Sequence, residues 1–136
     1  YQLARHAAGR AQSKLLLTGD FNIAPRDEDV WDIEAFRGKT HVTEPERAAF
    51  QMLEEVGLEE VTRRFTEDQR YTYFDYKGMR FQKNEGMRID FQLASPPLAK
   101  HVTGARVDME ERAGEKTSDH CPLHADFDLP DFDSVR

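Results

Sequence analysis

Three consecutive leucines that run straight into a glycine, an acid and an amide constrain this chain more than any other stretch: Leu15-Leu16-Leu17-Thr18-Gly19-Asp20-Phe21-Asn22. The leucine run, entered from Lys14, predicts a short strand buried on both faces. Glycine ends it, and an acid, an aromatic and a carboxamide arrive at the strand's carboxyl end, the edge of open α/β sheets where ligands collect. Asp20 and Asn22 are two residues apart, so an extended backbone points both side chains the same way. A carboxylate and a carboxamide aimed at one point suit a hard cation, or a water attacking an electrophile. Gly, Asp and Asn are also turn formers, and the same residues read equally as a plain turn.

At 136 residues, with 38% hydrophobic and 10% aromatic residues, the chain is a single globular domain by length and composition. No apolar run approaches the roughly 18 residues of a membrane span and no signal-peptide pattern opens the chain, so no membrane partner is expected. The single cysteine, Cys121, excludes an internal disulfide framework and fits a reducing, cytoplasmic compartment. Its place before a proline at the start of a candidate strand marks a buried structural thiol. A net charge of −7 argues against a general nucleic-acid coat protein. The charge is uneven, however: residues 62–88 hold seven Lys/Arg against four Asp/Glu, which reads either as a face for a polyanion or as a solvated loop.

The chain opens at Tyr1 on what reads as the middle of a helix, with Leu3, Ala4 and Ala7 on one face, Gly9 at its end and no N-cap; a fragment is expected. Residues 23–29 read as loop and Val30–Phe36 as a short helix or turn. Thr43-Glu44-Pro45-Glu46 predicts a helix start with a capping box. Ala49, Met52, Leu53 and Val56 give that helix a core face, ended by Gly57. Glu59–Arg64 adds a further helical turn. Strands are expected at Tyr71–Tyr76, Met87–Ala94, Val102–Met109 and Cys121–Phe127. Loops are expected at Lys77–Gly86 and Glu110–Lys116, with a break at Ser95-Pro96-Pro97 and a polar tail after Pro130.

Asp90 is out of place inside Arg88-Ile89-Asp90-Phe91, because a lone charge within a strand is costly to bury. Ser118-Asp119-His120 sets an acid and a histidine at the mouth of the last strand, and His120 is the best partner for Asp90, since a carboxylate fixes an imidazole's tautomer and orientation. His6, His41, His101 and His124 lack such company and read as surface or packing residues.

Together, in this order, Gly19-Asp20-Phe21-Asn22, Tyr71–Tyr76, Arg88-Ile89-Asp90 and Ser118-Asp119-His120 resemble the later motifs of the exonuclease III class of abasic-site endonucleases. That class belongs to the endonuclease/exonuclease/phosphatase superfamily, which includes DNase I. The resemblance implies that residues 1–128 form the C-terminal half of a four-layered α/β sandwich, mostly antiparallel sheet with flanking helices, followed by a tail over 129–136. It implies Mg²⁺-dependent hydrolysis of phosphodiesters 5′ to abasic sites and exonuclease action from 3′ ends of double-stranded DNA, with Mn²⁺ as an alternative ion. By the same resemblance Asp20 orients or deprotonates the attacking water and Asn22 donates to phosphoryl oxygens. Asp90 pairs with His120 on the scissile phosphate, and Asp119 joins Asp20, Asn22 and His120 around the metal. Tyr73 lines an abasic-sugar pocket or packs in the core, with Met87 and Ile89 as walls. Arg88 reaches a phosphate or supports its loop.

The family's first half, with its metal-binding acid, has no counterpart in the chain. The inner sheet face is therefore expected to be covered by that half or by self-association, and the chain alone to show little activity. Two other readings remain: a superfamily phosphoesterase acting on a non-DNA phosphoester, and a non-catalytic domain that binds DNA or a partner.

Overall fold

The computed structural model describes residues 2–115 and 117–129. Tyr1, Lys116 and the tail from Pro130 onward lie outside the described residues. Two antiparallel sheets form the frame. The first runs β1 (Leu16–Asp20), β3 (Asp90–Ala94), β2 (Glu59–Glu60), with β3 in the middle. The second pairs β4 (Val102–Val107) with β5 (Leu123–Phe127), with an irregularity between Val102 and Gly104. Helices α1 (Gln2–Ala8), α2 (Ile33–Phe36), α3 (Glu44–Glu55), α4 (Pro96–Ala99) and α5 (Met109–Ala113) fill the connections. No helix among the described residues is long and apolar enough to cross a membrane.

One face of the three-stranded sheet carries the main core. Phe91 and Leu93 project from β3 onto Phe50 and Leu53 of α3 and Ala4 and Ala7 of α1. Phe21, Phe50 and Phe91 meet edge to face, with centroids 4.9–6.1 Å apart, the arrangement that the ring quadrupole favours. Helix α3 begins where the sequence places it: Thr43 Oγ1 accepts from Glu46 N while Glu46 Oε1 accepts from Thr43 N, a box that stabilises by about 1 kcal/mol.

Several expectations change. The leucine strand forms but is not buried on both faces. β1 is an edge strand with Leu16 and Thr18 exposed and Leu17 only half-buried, because α1 and α3 cover one face alone. In α3 the buried pair is Phe50 and Leu53, and Ala49 is exposed; Leu3 of α1 is likewise 49% exposed. Glu59–Glu60 pair with β3 as a strand, ahead of a 3₁₀ turn at Arg63–Phe65. The expected strand Val102–Met109 ends at Val107, and α5, capped where Asp108 accepts from Glu111 N, runs from Met109 into the expected loop at Glu110–Lys116. β3 and β5 start later than expected, at Asp90 and Leu123.

The most consequential change is at Tyr71–Tyr76, which forms no strand. Its backbone is instead a stitch between two others. Thr72 N and Tyr73 N donate to Met87 O, at 2.8 and 3.0 Å. On the other side Phe74 N donates to Asp119 O at 2.9 Å, and Cys121 N to Thr72 O at 2.7 Å. Gly86 permits this closeness, since a Cβ there would meet the Phe74 ring at 2.6 Å and Tyr73 O at 2.7 Å. The stitch draws the approach to β3 against the approach to β5, and so sets Asp90 beside His120.

Candidate active site

Asp20 is the last residue of β1 and lies opposite Asp90, the first residue of β3, so one end of the sheet presents two acids side by side. Thr72 Oγ1 fixes the second, accepting from both Ile89 N and Asp90 N at 3.1 Å. His120 enters from the segment before β5, held by a bridge to Tyr73. Its Nδ1 stands 2.8 Å from Asp90 Oδ2, and its Nε2 lies 3.5 Å from Asp20 Oδ2 and 3.9 Å from Asp119 Oδ1. The Asp90–His120 pair expected from the sequence is thus present. A carboxylate engages Nδ1 while Nε2 faces two more.

Burial alone would pull the His120 imidazole down, but the hydrogen bond and charge of Asp90, with Asp20 and Asp119, hold it above its ordinary value. Burial pushes the Asp90 carboxyl up, against hydrogen bonds from His120 and Thr72. The sense of the pair is a ring that keeps its proton to higher pH, since three carboxylates face it.

Asn22 is placed differently from expectation. Gly19 has φ +144°, Asn22 has φ +53°, and Asn22 N donates to Asp20 Oδ1 at 2.9 Å. The backbone is therefore folded rather than extended past Asp20, and the shared direction argued from strand geometry does not hold. Among the described residues, the Asn22 side-chain amide makes no bond. Among the acids and histidines of the described residues, the ligand atoms that gather within 4.8 Å of one another belong to Asp20, Asp90 and His120, so this close cluster includes Asp90 and omits Asp119.

Tyr73 is half-buried, its ring 5.3 Å from that of His120, and burial holds its phenol above the usual value. It lines an open cavity of about 380 Å³ together with Met87, Trp31 and His41. Ile89 packs behind Met87 with Ala24 and Val30 and is 2% exposed. Arg88 corrects its phosphate reading. It is fully enclosed, donating from Nη1 to Arg70 O and from Nη2 to Thr62 Oγ1 at 2.8 Å, with Glu60 at 4.0 Å. Three cations of the basic stretch are paired with acids: Arg63 grips buried Asp29 with two bonds, of 2.6 and 3.0 Å, Arg80 pairs with Glu85, and Arg88 stands by Glu60. Cys121 is a buried thiol, pushed up to about 11 by burial.

Sequence reasoning missed two contributors. Thr72 was visible only as a strand residue, although a buried threonine among aromatics is a signal for a backbone-binding hydroxyl. His41 bonds Asn22 O from Nδ1 at 2.7 Å, a contact across 19 residues that no local pattern announces.

The sequence and the fold match known proteins. The profile of the Endonuclease/Exonuclease/phosphatase family matches residues 1–120. The chain belongs to that family. Exodeoxyribonuclease III of Haemophilus influenzae is 36% identical over 121 residues, covering 83% of this chain and 45% of that protein. Among solved structures, the 3′ phosphatase NExo from Neisseria, bound to product DNA hairpin, superposes with a TM-score of 0.86 at 41% identity, covering 93% of this chain and 51% of its own. An AP endonuclease from Archaeoglobus fulgidus gives the same TM-score at 31% identity, with 94% and 51% covered. The chain therefore spans about half the length of the relatives it matches. The resemblance to the exonuclease III class, and the mixed α/β fold equivalent to half of a DNase I-like sandwich, are shown by these family members.

Proposed function

We propose that the chain carries the acid–histidine half of a Mg²⁺-dependent DNA repair phosphodiesterase, acting 5′ to abasic sites and at 3′ ends. The observation that carries this reading is the placement of His120, with Asp90 on one ring nitrogen and Asp20 and Asp119 near the other. Asp90 holds the Nδ1 proton and fixes the ring. His120, kept protonated by its acidic neighbours, offers Nε2–H to a phosphoryl or leaving oxygen. Asp20, the exposed acid of the cluster, takes the proton of the attacking water as its oxygen bonds to phosphorus and the P–O3′ bond breaks. The Asn22 amide is left to donate to a phosphoryl oxygen.

The donor set suits a hard cation, because carboxylate oxygens dominate the cluster; with Asp90 bonded to His120, Asp20 would hold the ion, joined by Asp119, 3.9 Å from His120 Nε2, and by the Asn22 carboxamide two residues on in the chain. Mg²⁺, or Mn²⁺ on the same oxygens, supplies charge against the phosphoryl oxygens. Tyr73 and Met87 line the cavity proposed for the base-less sugar, and Ile89 backs it. The name of the Neisseria neighbour supports a 3′-phosphomonoester as a second substrate of the same site. Exposed Leu16 on edge strand β1 supports a covering surface. Its source is either a polypeptide equivalent to the part of the relatives that this chain does not match, or a second copy.

The test is cleavage of a duplex with one abasic site in Mg²⁺. The chain is assayed alone and mixed with the part of the Haemophilus influenzae relative that it does not match. Cleavage 5′ to the lesion, abolished by chelation and strongest in the mixture, is expected. Cleavage of a soluble phosphomonoester but not of the abasic duplex would move the reading to a non-DNA phosphoesterase.

A further inference from the structure

We propose that His41 is a positioning residue, whose ring locks the Asp20–Asn22 turn in the left-handed conformation that presents the Asp20 carboxylate to His120. The proposal deepens the phosphodiesterase reading and rests on it for the purpose of the turn, though not for the lock itself.

Four non-glycine residues among those described have positive φ: Asn22, His41, Met79 and Asn84. Two of them, Asn22 at +53° and His41 at +81°, are joined to one another by the His41 Nδ1–Asn22 O bond of 2.7 Å. Asparagine tolerates the left-handed region because its short amide binds locally; histidine carries a larger cost there and persists only where its surroundings over-determine it. They do so here. His41 N donates to Glu46 Oε2 at 3.1 Å, and His41 O accepts from Ala24 N at 2.9 Å. Glu46 is the capping-box acid of α3, kept ionised by the Thr43 hydroxyl and by amides of His41 and Thr43. Arg47, next along α3, donates to Ala24 O at 3.0 Å. The N-terminus of α3 thus clamps both the backbone of His41 and the strand exit at Ala24.

The ring's own bond goes to the one part of this loop that bears on the site. Asn22 O is a carbonyl and can only accept, so Nδ1 carries the proton and the tautomer is fixed. Asn22 N in turn donates to Asp20 Oδ1, which leaves Oδ2 turned to His120 at 3.5 Å. A rigid helix end, a strained histidine, an asparagine turn and a carboxylate therefore form one chain of contacts. His41 also lines the cavity that Tyr73 and Met87 share, so its position couples the turn to that wall.

The experiment compares the chain with H41G and H41N. Glycine removes the backbone strain and asparagine tolerates it, so both folds are expected to stay intact, with denaturation midpoints at or above that of the unsubstituted chain for H41G. Neither replacement reaches Asn22 O. The expected result is an NMR order parameter for the Asn22 amide that falls from the rigid range near about 0.85 to below about 0.6 in both variants. A Nδ1–H tautomer for His41 in the parent, and at least tenfold lower turnover at nearly unchanged KM in the two-polypeptide assay, complete it. An unchanged Asn22 order parameter in both variants, or a Nε2–H tautomer, overturns the proposal. Absence of Mg²⁺-dependent cleavage by the unsubstituted protein would instead count against the phosphodiesterase reading and leaves the order-parameter test standing.

Discussion

Arg88 and Asp90 are two residues apart, yet they serve two ionic clusters of opposite character. Around Arg88, the groups Asp29, Glu60, Thr62 and Arg63 are packed into the interior. Asp29 and Arg88 are fully enclosed, and Glu60 accepts from Thr62 N, Thr62 Oγ1, Arg63 N and Gln92 N at 2.6–2.8 Å. Around Asp90, the side chains of Asp20, Asp119 and His120 are about a third exposed, and contacts beyond the one short bond loosen to 3.5 and 3.9 Å. A buried, closely bonded network holds a fold; a half-open group of acids around one imidazole has capacity left for something else.

That contrast predicts opposite responses to substitution. The largest effect is expected on turnover: H120A and D20N each lower cleavage by about 10²–10⁴-fold while shifting the denaturation midpoint little. R88A should do the reverse, lowering stability by about 3–5 kcal/mol in urea unfolding, because it leaves buried Glu60 without its cation and Thr62 Oγ1 and Arg70 O without a donor. Should R88A fold normally and lose only activity, the two clusters would have exchanged roles.

Smaller effects sharpen the boundary between them. G86A is expected to cost about 1–3 kcal/mol, since its Cβ drives into Phe74 and the Tyr73 carbonyl. Spectra should show the loss centred on the Tyr73–Met87 stitch. The pH response is subtler. The folded-state value of His120 is raised, so its contribution to stability is full below the ordinary histidine range and is lost as pH rises through the raised value. The stability gap between the chain and H120Q should therefore be widest near pH 5.5 and close toward alkaline pH. A gap that widens with pH would contradict the assigned direction.

What the sequence disclosed and what it hid follow the same division. Capping chemistry is local, and Thr43-Glu46 was legible to the residue. Asp90 was legible because an acid within an apolar run demands a partner, and His120 was the one histidine beside another acid. The Tyr71–Tyr76 segment misled because aromatic and β-branched residues favour strands, whereas here tertiary pairing to Met87 and Asp119–Cys121 on two sides leaves no continuous ladder. Arg88 reads from the sequence either as a phosphate contact or as a loop support, and only the fold decides between them, because Thr62 and the Arg70 carbonyl enclose it. The Asp20–Asn22 turn was anticipated as one of two readings, but its left-handed geometry depends on His41, which lies 19 residues away. Ala49 and Phe50 differ by one position, and which of them faces the sheet depends on where β1 and β3 lie under α3.

Titration of Mg²⁺ into the ¹⁵N-labelled chain, followed at backbone amides, at the His120 ring and at the arginine Nε–H groups, tests the separation of the two clusters most directly. Saturable shifts are expected at Asp20–Asn22, Asp90 and Asp119–His120 and not at the Arg63 or Arg88 side chains, and D20N should abolish them. Shifts scattered over exposed acids, or centred on Asp29 and Glu60, or unchanged by D20N, would contradict metal binding at Asp20 beside the Asp90–His120 pair.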